Sequence, residues 1–282
     1  MSDNVEIGWD AKHLVDRPEL WSLPLARDDQ HTLAAADDDA HKVRSAVHAF
    51  VDAAIERVGF AHIAGFVDPG RSEDDITRTL LFVLDGIGVV VPQNGAGDLL
   101  QVLRDRDGDG VTALGFHCDT CDLLVLLCLQ PAADGQGFTR LASARKVDDI
   151  LTAEDRDTLS LLREDWTYDR TGRAGPQIVV SPILFTQPDG TIGCYYQTRT
   201  VRASLNPDRP ADARRLAALD VLDEVLHRPG VGFDLMLAAG DLLLIRNSRV
   251  LHGRSPYIDQ PGPKARRILR LWVDDVATEE NR

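Results

Sequence analysis

Cysteine is scarce in this chain, with four in 282 residues. That is too few for a fold held by disulfides, and a reduced, cytoplasmic protein is the expectation. No apolar run reaches the roughly 18 residues that a membrane-spanning helix needs, so no membrane partner is expected. The opening stretch "MSDNVEIGWDAKHL" has no basic segment leading into an apolar one, which argues against a signal peptide. Positive charge is also short: 31 Lys and Arg face 45 Asp and Glu, for a formal net charge of −14. Such a surface repels phosphate backbones and excludes nucleic acid as an expected partner. There is no internal repeat and no low-complexity segment. What remains is ordinary globular material, 44% hydrophobic and 27% charged, sufficient for a sizeable core. The expectation is one domain over residues 1–282, with the polar, aperiodic residues 1–37 wrapping its surface.

Periodicity begins at Asp38. Val43, Val47, Phe50, Ala54 and Val58 recur at three- and four-residue intervals, the stripe of an amphipathic helix that Gly59 ends. "FAHIAGF" reads as a short strand and a turn. Ser72 with Asp75 resembles a capping box ahead of a second helix reaching about Asp85. "DLLVLLCLQ" (Asp122 to Gln130) is a continuous apolar run, as in a buried strand. Helices are expected near 144–164 and 209–227. "FDLMLAAGDLLLIRNSRVLHGR" reads as short strands around a Gly240-Asp241 turn, with one running into His252. "RRILRLWV" closes the pattern as a final strand. Short strands and glycine turns in the second half point to a β-sandwich or barrel with helices outside it.

Three chemical readings compete around "GFHCDTCDLL" (Gly115 to Leu124). Just upstream, "DRDGDG" (Asp105 to Gly110) imitates the start of a calcium loop. A twelve-residue loop from Asp105 would need a bidentate acid where Phe116 stands, so the spacing fails. Cys118 and Cys121 form C-x-x-C, but they lead into a strand-like run rather than opening a helix, which the thioredoxin arrangement requires. In a strand the two thiols would face opposite sides. Cys128 and Cys194 lack the spacing that would complete a zinc site. The third reading is H-x-D. Residues i and i+2 of a strand share a face, so His117 and Asp119 can hold one metal from one side. A second histidine would complete the two-His, one-carboxylate set of non-haem Fe(II) oxygenases, with positions left open. His252, in "SRVLHGRSPY" after a buried strand, is the best candidate. Beyond it, Arg266 and Arg270 share a strand face, and a buried arginine fork suits a carboxylate.

The ordered set of "GVVVPQNGAGDLLQVLRD", "FHCDTCDLLVLLCLQPA", "GFTRLAS", "GDLLLIRNSRVLHGR" and "RRILRLWV" resembles the taurine dioxygenase and clavaminate synthase-like superfamily of Fe(II)/2-oxoglutarate-dependent oxygenases. The resemblance covers roughly residues 55–275. It implies an α+β fold with an all-β core, a double-stranded β-helix (jelly roll, cupin-like) flanked by helices. It implies that His117, Asp119 and His252 bind iron, and that Arg266 and Thr139 hold the distal carboxylate of 2-oxoglutarate. Arg270 matches a position that binds a substrate acid group in some relatives. Gln93, Asn94 and Tyr196 are further candidates for substrate contact, each with a plain alternative as a turn or packing residue. Asp119 is intact, whereas related halogenases carry a small residue there, so hydroxylation of an unactivated C–H is favoured over halogenation. Arg267 departs from the neutral or His residue expected beside the second strand arginine, either as a surface change or in the pocket wall.

Iron, 2-oxoglutarate and O2 are therefore the expected cofactor set, and a small molecule, amino acid-like or a natural-product intermediate, the expected substrate. Succinate and CO2 would be released. No catalytic residue beyond the metal ligands is expected, and oligomeric state is open. Desaturation or cyclisation by the same chemistry, a non-catalytic jelly-roll binding protein, and a thiol- or zinc-based redox protein are the alternatives. Cys118 and Cys121 flank the ligands and are expected to be oxidised during uncoupled turnover.

Overall fold

The computed structural model describes residues 8–35, 37–104, 112–170, 177–258, 260 and 262–276. The calcium-like stretch at 105–110 lies outside them. Among the described residues the larger sheet contains β1 (Ser22–Pro24), β2 (Phe60–Ala64), β3 (Val89–Val91), β4 (Leu100–Leu103), β6 (Leu123–Gln130), β13 (Leu242–Arg246) and β15 (Arg267–Asp274). The smaller contains β5 (Leu114–His117), β7 (Thr139–Ser143), β12 (Phe233–Leu235) and β14 (Val250–Arg254). Two hairpins lie outside both sheets, β8 (Trp166–Asp169) with β9 (Ile178–Ser181) and β10 (Leu184–Thr186) with β11 (Ile192–Cys194). The larger sheet runs β1-β2-β13-β6-β15-β3, with β4 also on β15, and the smaller runs β12-β7-β14-β5. Every pairing within the two sheets is antiparallel except β1 with β2.

The helices are α1 (Ala11–Asp16), α2 (Arg27–Ala35), α3 (Asp38–Val58), α4 (Glu73–Leu84), α5 (Ala144–Glu154), α6 (Arg156–Leu162), α7 (Thr198–Ala203) and α8 (Pro210–Leu226). The α3 stripe ends at Gly59, whose φ of 83° is the left-handed conformation that glycine adopts without strain. Ser72 caps α4 by accepting from the Asp75 N–H. Both helices cover the outer face of the larger sheet, where Val47, Val51 and Leu80 meet Val125, Leu127 and Leu271. The opposite face of the same strands, with Leu124, Leu126 and Ile268, meets Leu141 and Val250 of the smaller sheet. A strand buried on both faces needs no polar alternation, which is why "DLLVLLCLQ" is continuously apolar. Helices α5, α6 and α8 pack in a third cluster with Ala142 and Leu251 of the smaller sheet.

The N-terminal segment departs from expectation. Its described part is woven into the fold instead of wrapping it. Trp9, Leu14, Leu20, Trp21 and Leu33 are buried, β1 adds a parallel edge to β2, and the Trp9 indole donates to the Val58 carbonyl at 2.7 Å. Its buried residues are spread over separate short elements, Leu14 in α1, Leu20 and Trp21 at the turn before β1, and Leu33 in α2, so no single period marks them.

The expected Gly240-Asp241 turn has a structural reason. Gly240 has φ +92°, and a Cβ there would lie 2.3 Å from the Val67 carbonyl oxygen. Asp241 accepts from the Gly65 and Ala238 N–H groups, each at 2.8 Å, and its Oδ2 lies 3.2 Å from His62 Nε2. Burial works to raise the Asp241 pKa, but these partners outweigh it and the net shift is downward. Asp241→Ala strands two backbone donors and is expected to cost about 3 kcal/mol. The sign of the pH effect follows from the downward shift. The stabilisation is complete above the unfolded value of about 3.9 and is lost as pH falls through the folded one. Asp241→Asn should therefore flatten the acid limb of the stability curve. Urea unfolding near neutral pH and near pH 3 checks this, and an unchanged acid limb would refute it.

Candidate metal centre

The strand register brings the two histidines together. In the antiparallel pair β14–β5, His252 lies directly opposite His117, and their ring centroids are 4.3 Å apart. The His117 Nδ1 lies 3.0 Å from the Gly115 carbonyl, to which it donates as N–H, so that Nε2 is the nitrogen facing the other two residues. That Nε2 is 3.9 Å from Asp119 Oδ1, and one ligand atom from each of His117, Asp119 and His252 falls within 4.8 Å of the others. Asp119 is not on the strand with His117, as the period-two argument supposed, because β5 ends at His117. Loop partners take over from the ladder. The Cys118 N–H donates to the Tyr196 carbonyl at 2.8 Å and the Asp119 N–H to Asn247 Oδ1 at 3.0 Å.

The donor chemistry fits a divalent metal. His252 is buried, and its Nδ1 has no hydrogen-bond partner. Burial, with help from His117 and Arg270 and against the pull of Asp119, lowers its pKa to about 3, so the imidazole is neutral. Burial tends to raise the Asp119 pKa, but the Arg270 guanidinium and the Trp272 indole N–H beside it oppose this and the net shift is down, so the carboxylate is charged. Two imidazoles and one carboxylate converging in this way are the donor set of a facial metal site.

Two cavities meet at these residues. A cleft of about 540 Å³ is lined by His117, Asp119, Gln93, Arg199, Arg270 and Trp272, among others. A smaller chamber of about 70 Å³ lies against His252, Thr139, Arg254, Arg266 and the apolar Leu124 and Leu126. Arg266 is only 5% exposed, with its guanidinium 5.2 Å from the centre of the Tyr257 ring. Arg266 and Arg270 both line this chamber, but not as one strand face: β15 begins at Arg267, and the register shifts between Arg267 and Ile268. Arg270 is braced: its Nε donates to Gln93 Oε1 at 2.7 Å and its Nη2 to Gln101 Oε1 at 2.8 Å.

Other candidates fall elsewhere. Asn94 builds a turn, accepting from the Ala96 and Asp98 N–H groups, and does not line the cleft. Tyr196 is fully buried outside the cleft, donating its hydroxyl to Asp223 at 3.0 Å, so the packing alternative describes it. In "CYYQTRTVR" β11 stops at Cys194 and α7 starts at Thr198. Arg267 pairs with Glu73 on α4 at the surface and is not a pocket wall. The C-x-x-C thiols have different neighbours: Cys118 Sγ is 3.5 Å from Cys194 Sγ, whereas Cys121 Sγ accepts from Asn247 Nδ2 at 3.1 Å. Both are buried free thiols, and burial, with Asp119 and Asp274, pushes the Cys121 pKa well up. At Cys121 the suppressed thiolate argues against the expected oxidation. Sequence reasoning missed Trp272 and Gln101. Trp272 stands two residues beyond Arg270 on the same strand face. Gln101 faces Arg270 only through the β4–β15 pairing, which no local pattern announces.

Known proteins are similar to this chain over most of its length. The chain is 28% identical over 208 residues to FR-33289 synthase of Streptomyces rubellomurinus, a match covering 67% of this chain and 60% of that one. It therefore spans less than two thirds of that relative's length. Among solved structures, an asparagine oxygenase in complex with Fe(II), hydroxyasparagine and succinate superposes with a TM-score of 0.68 at 16% identity, over 93% of this chain and 96% of that one. The non-heme iron oxygenase OrfP in complex with Fe and alpha-ketoglutaric acid gives 0.66 at 17% identity, over 92% and 96%. The fold is thus the mixed α/β fold of such oxygenases. Residues 24–272 match the family described as taurine catabolism dioxygenase TauD, TfdA, and because that span takes in most of the chain and all three converging residues, the chain belongs to this dioxygenase family.

Proposed function

We propose that this chain is an Fe(II)- and 2-oxoglutarate-dependent oxygenase that hydroxylates an unactivated C–H bond of a small molecule, amino acid-like or a natural-product intermediate, with release of succinate and CO2. One observation carries this reading: His117, Asp119 and His252 converge between an open cleft and a small chamber that holds a buried arginine. The order of strands supports a double-stranded β-helix within a single oxygenase domain. From β4 to β7 and again from β12 to β15, successive strands alternate between the larger and smaller sheets, apart from the step from β7 to β12.

Iron, 2-oxoglutarate and O2, when bound, supply the oxidising chemistry. The chain supplies position and dryness. His117, Asp119 and His252 hold the metal from one side. In the chamber, Arg266 offers a fork to the distal carboxylate of the co-substrate and the Thr139 hydroxyl donates to it. Leu124 and Leu126 keep water from that end. The wide cleft receives the substrate, where Arg270 faces an acid group and Gln93 fixes the angle of its guanidinium. Gln93 thus acts on the substrate through Arg270.

The test is an anaerobic titration of metal-free protein with Fe(II) and 2-oxoglutarate, following the weak visible charge-transfer band of a chelated keto acid. The band is expected in the wild type and absent in His117→Ala. Folded wild-type protein that gives no band would leave the chain with the fold alone.

A further inference from the structure

The two oxygens of Asp119 have different surroundings. Oδ1 faces His117 Nε2 at 3.9 Å. Oδ2 accepts from the Trp272 indole N–H at 3.0 Å and from Arg270 Nη1 at 3.4 Å. Both partners can only donate, so neither can exchange roles with a metal. Trp272 is 6% exposed and Asp119 is 7% exposed, so little water competes for these bonds. Arg270 is not free to swing away. Gln93 and Gln101 hold it from two sides, through Nε and Nη2. Gln93 is itself pinned, its amide N–H donating to the Leu99 carbonyl at 2.9 Å and the Arg270 carbonyl at 2.8 Å, which leaves its oxygen to face the guanidinium. The donors on Oδ2 are therefore in place before any metal arrives.

This matters because a carboxylate can grip a cation with one oxygen or two. A two-oxygen grip would occupy a position that a co-substrate or oxygen needs. Outer partners of metal-binding side chains set such choices and contribute to affinity. We propose that Trp272, with the glutamine-braced Arg270, is a positioning residue that holds Asp119 as a one-oxygen donor through Oδ1 and keeps an adjacent metal position open. The proposal rests on the metal-centre reading above.

The test uses Co(II) alone, added anaerobically to metal-free protein with neither 2-oxoglutarate nor substrate. Any effect then concerns the metal and not contacts that Arg270 makes to substrate. Trp272→Phe keeps the packing ring and removes the N–H. It is expected to bind Co(II) about 10- to 100-fold more weakly, with an altered visible spectrum reporting changed coordination. Gln101→Leu, at the half-buried edge, loosens Arg270 and is expected to cost about three- to tenfold. A purely structural role would lower the melting temperature of the metal-free variants and leave affinity and spectrum alone. Folded variants with wild-type affinity and spectrum overturn the proposal, and if Trp272→Phe does not fold, Gln101→Leu decides. If wild-type protein binds no Co(II), or binds it equally after His117→Ala, the metal centre fails and the inference fails with it. Wild-type binding that depends on His117 but not on Trp272 or Gln101 overturns this inference alone.

Discussion

His252→Ala is expected to abolish Fe(II)-dependent turnover and to weaken metal binding by well over a hundredfold. Loss of an outer partner already costs about 10- to 100-fold, and this variant removes a ligand itself. His252 is the sole contribution of β14 to the cluster, and it approaches from the strand opposite His117. Apart from His117 and Asp119, which already belong to the cluster, the described lining of the smaller chamber is leucines, Thr139, Gly253 and arginines, which offer no replacement imidazole or carboxylate. The same variant is expected to leave the metal-free fold nearly as stable as the wild type. A buried imidazole whose Nδ1 has no partner, and whose pKa is pushed down to about 3, contributes little to the folded state without a metal. The cavity left by alanine opposes that relief, so the two effects offset. Metal titration beside thermal melting of the metal-free protein separates them. A His252→Ala protein that melts far below wild type would mean that the imidazole is a packing residue. One that binds Fe(II) normally would remove it from the ligand set.

How much of this was legible in the sequence depended on how local each signal is. The α3 stripe and its Gly59 end, the Ser72 cap and the two-sided burial of "DLLVLLCLQ" are local, and each was readable from a few neighbouring residues. The pairing of His117 with His252 is not local. It depends on a register 135 residues apart in sequence (252 − 117), and the family resemblance supplied what spacing could not. The period-two argument put Asp119 on the right side for an incomplete reason, since loop bonds from Tyr196 and Asn247 hold it beyond the strand end. Asn94 and Tyr196 stand close in sequence to Gln93 and Gln197, which do line the cleft, and sequence proximity could not separate them. The buried N-terminal segment was misread because scattered Trp and Leu anchors carry no period. Trp272 was missed because its role rests on one hydrogen bond to a carboxylate in the loop after β5, a contact that no local pattern announces.

Arg266→Ala is expected to raise the 2-oxoglutarate concentration needed for half of the charge-transfer band by about 30-fold to several thousandfold. Truncating one partner of a buried, hydrogen-bonded charge pair costs about 2–5 kcal/mol, because the remaining charge is left unmatched in a dry site. Fe(II) binding without co-substrate should be unchanged, since Arg266 is not among the three ligands. Arg266→Lys keeps the charge and loses the planar fork, so it should recover only part of the affinity. Thr139→Val removes a single hydroxyl and is expected to cost about fivefold. The ordering Ala worse than Lys, and both worse than Thr139→Val, is a stronger test than any one value. A competing anchor exists in the same chamber. Arg254 also lines it, with Nη2 donating to the Thr112 carbonyl at 2.8 Å and its guanidinium 5.0 Å from the Tyr257 ring centre. If Arg266→Ala binds 2-oxoglutarate like the wild type while Arg254→Ala does not, the distal carboxylate lies at the outer wall of the chamber. The co-substrate would then run along β14 and not toward β15, and the cleft on the Arg270 side would have to accommodate a correspondingly different substrate approach.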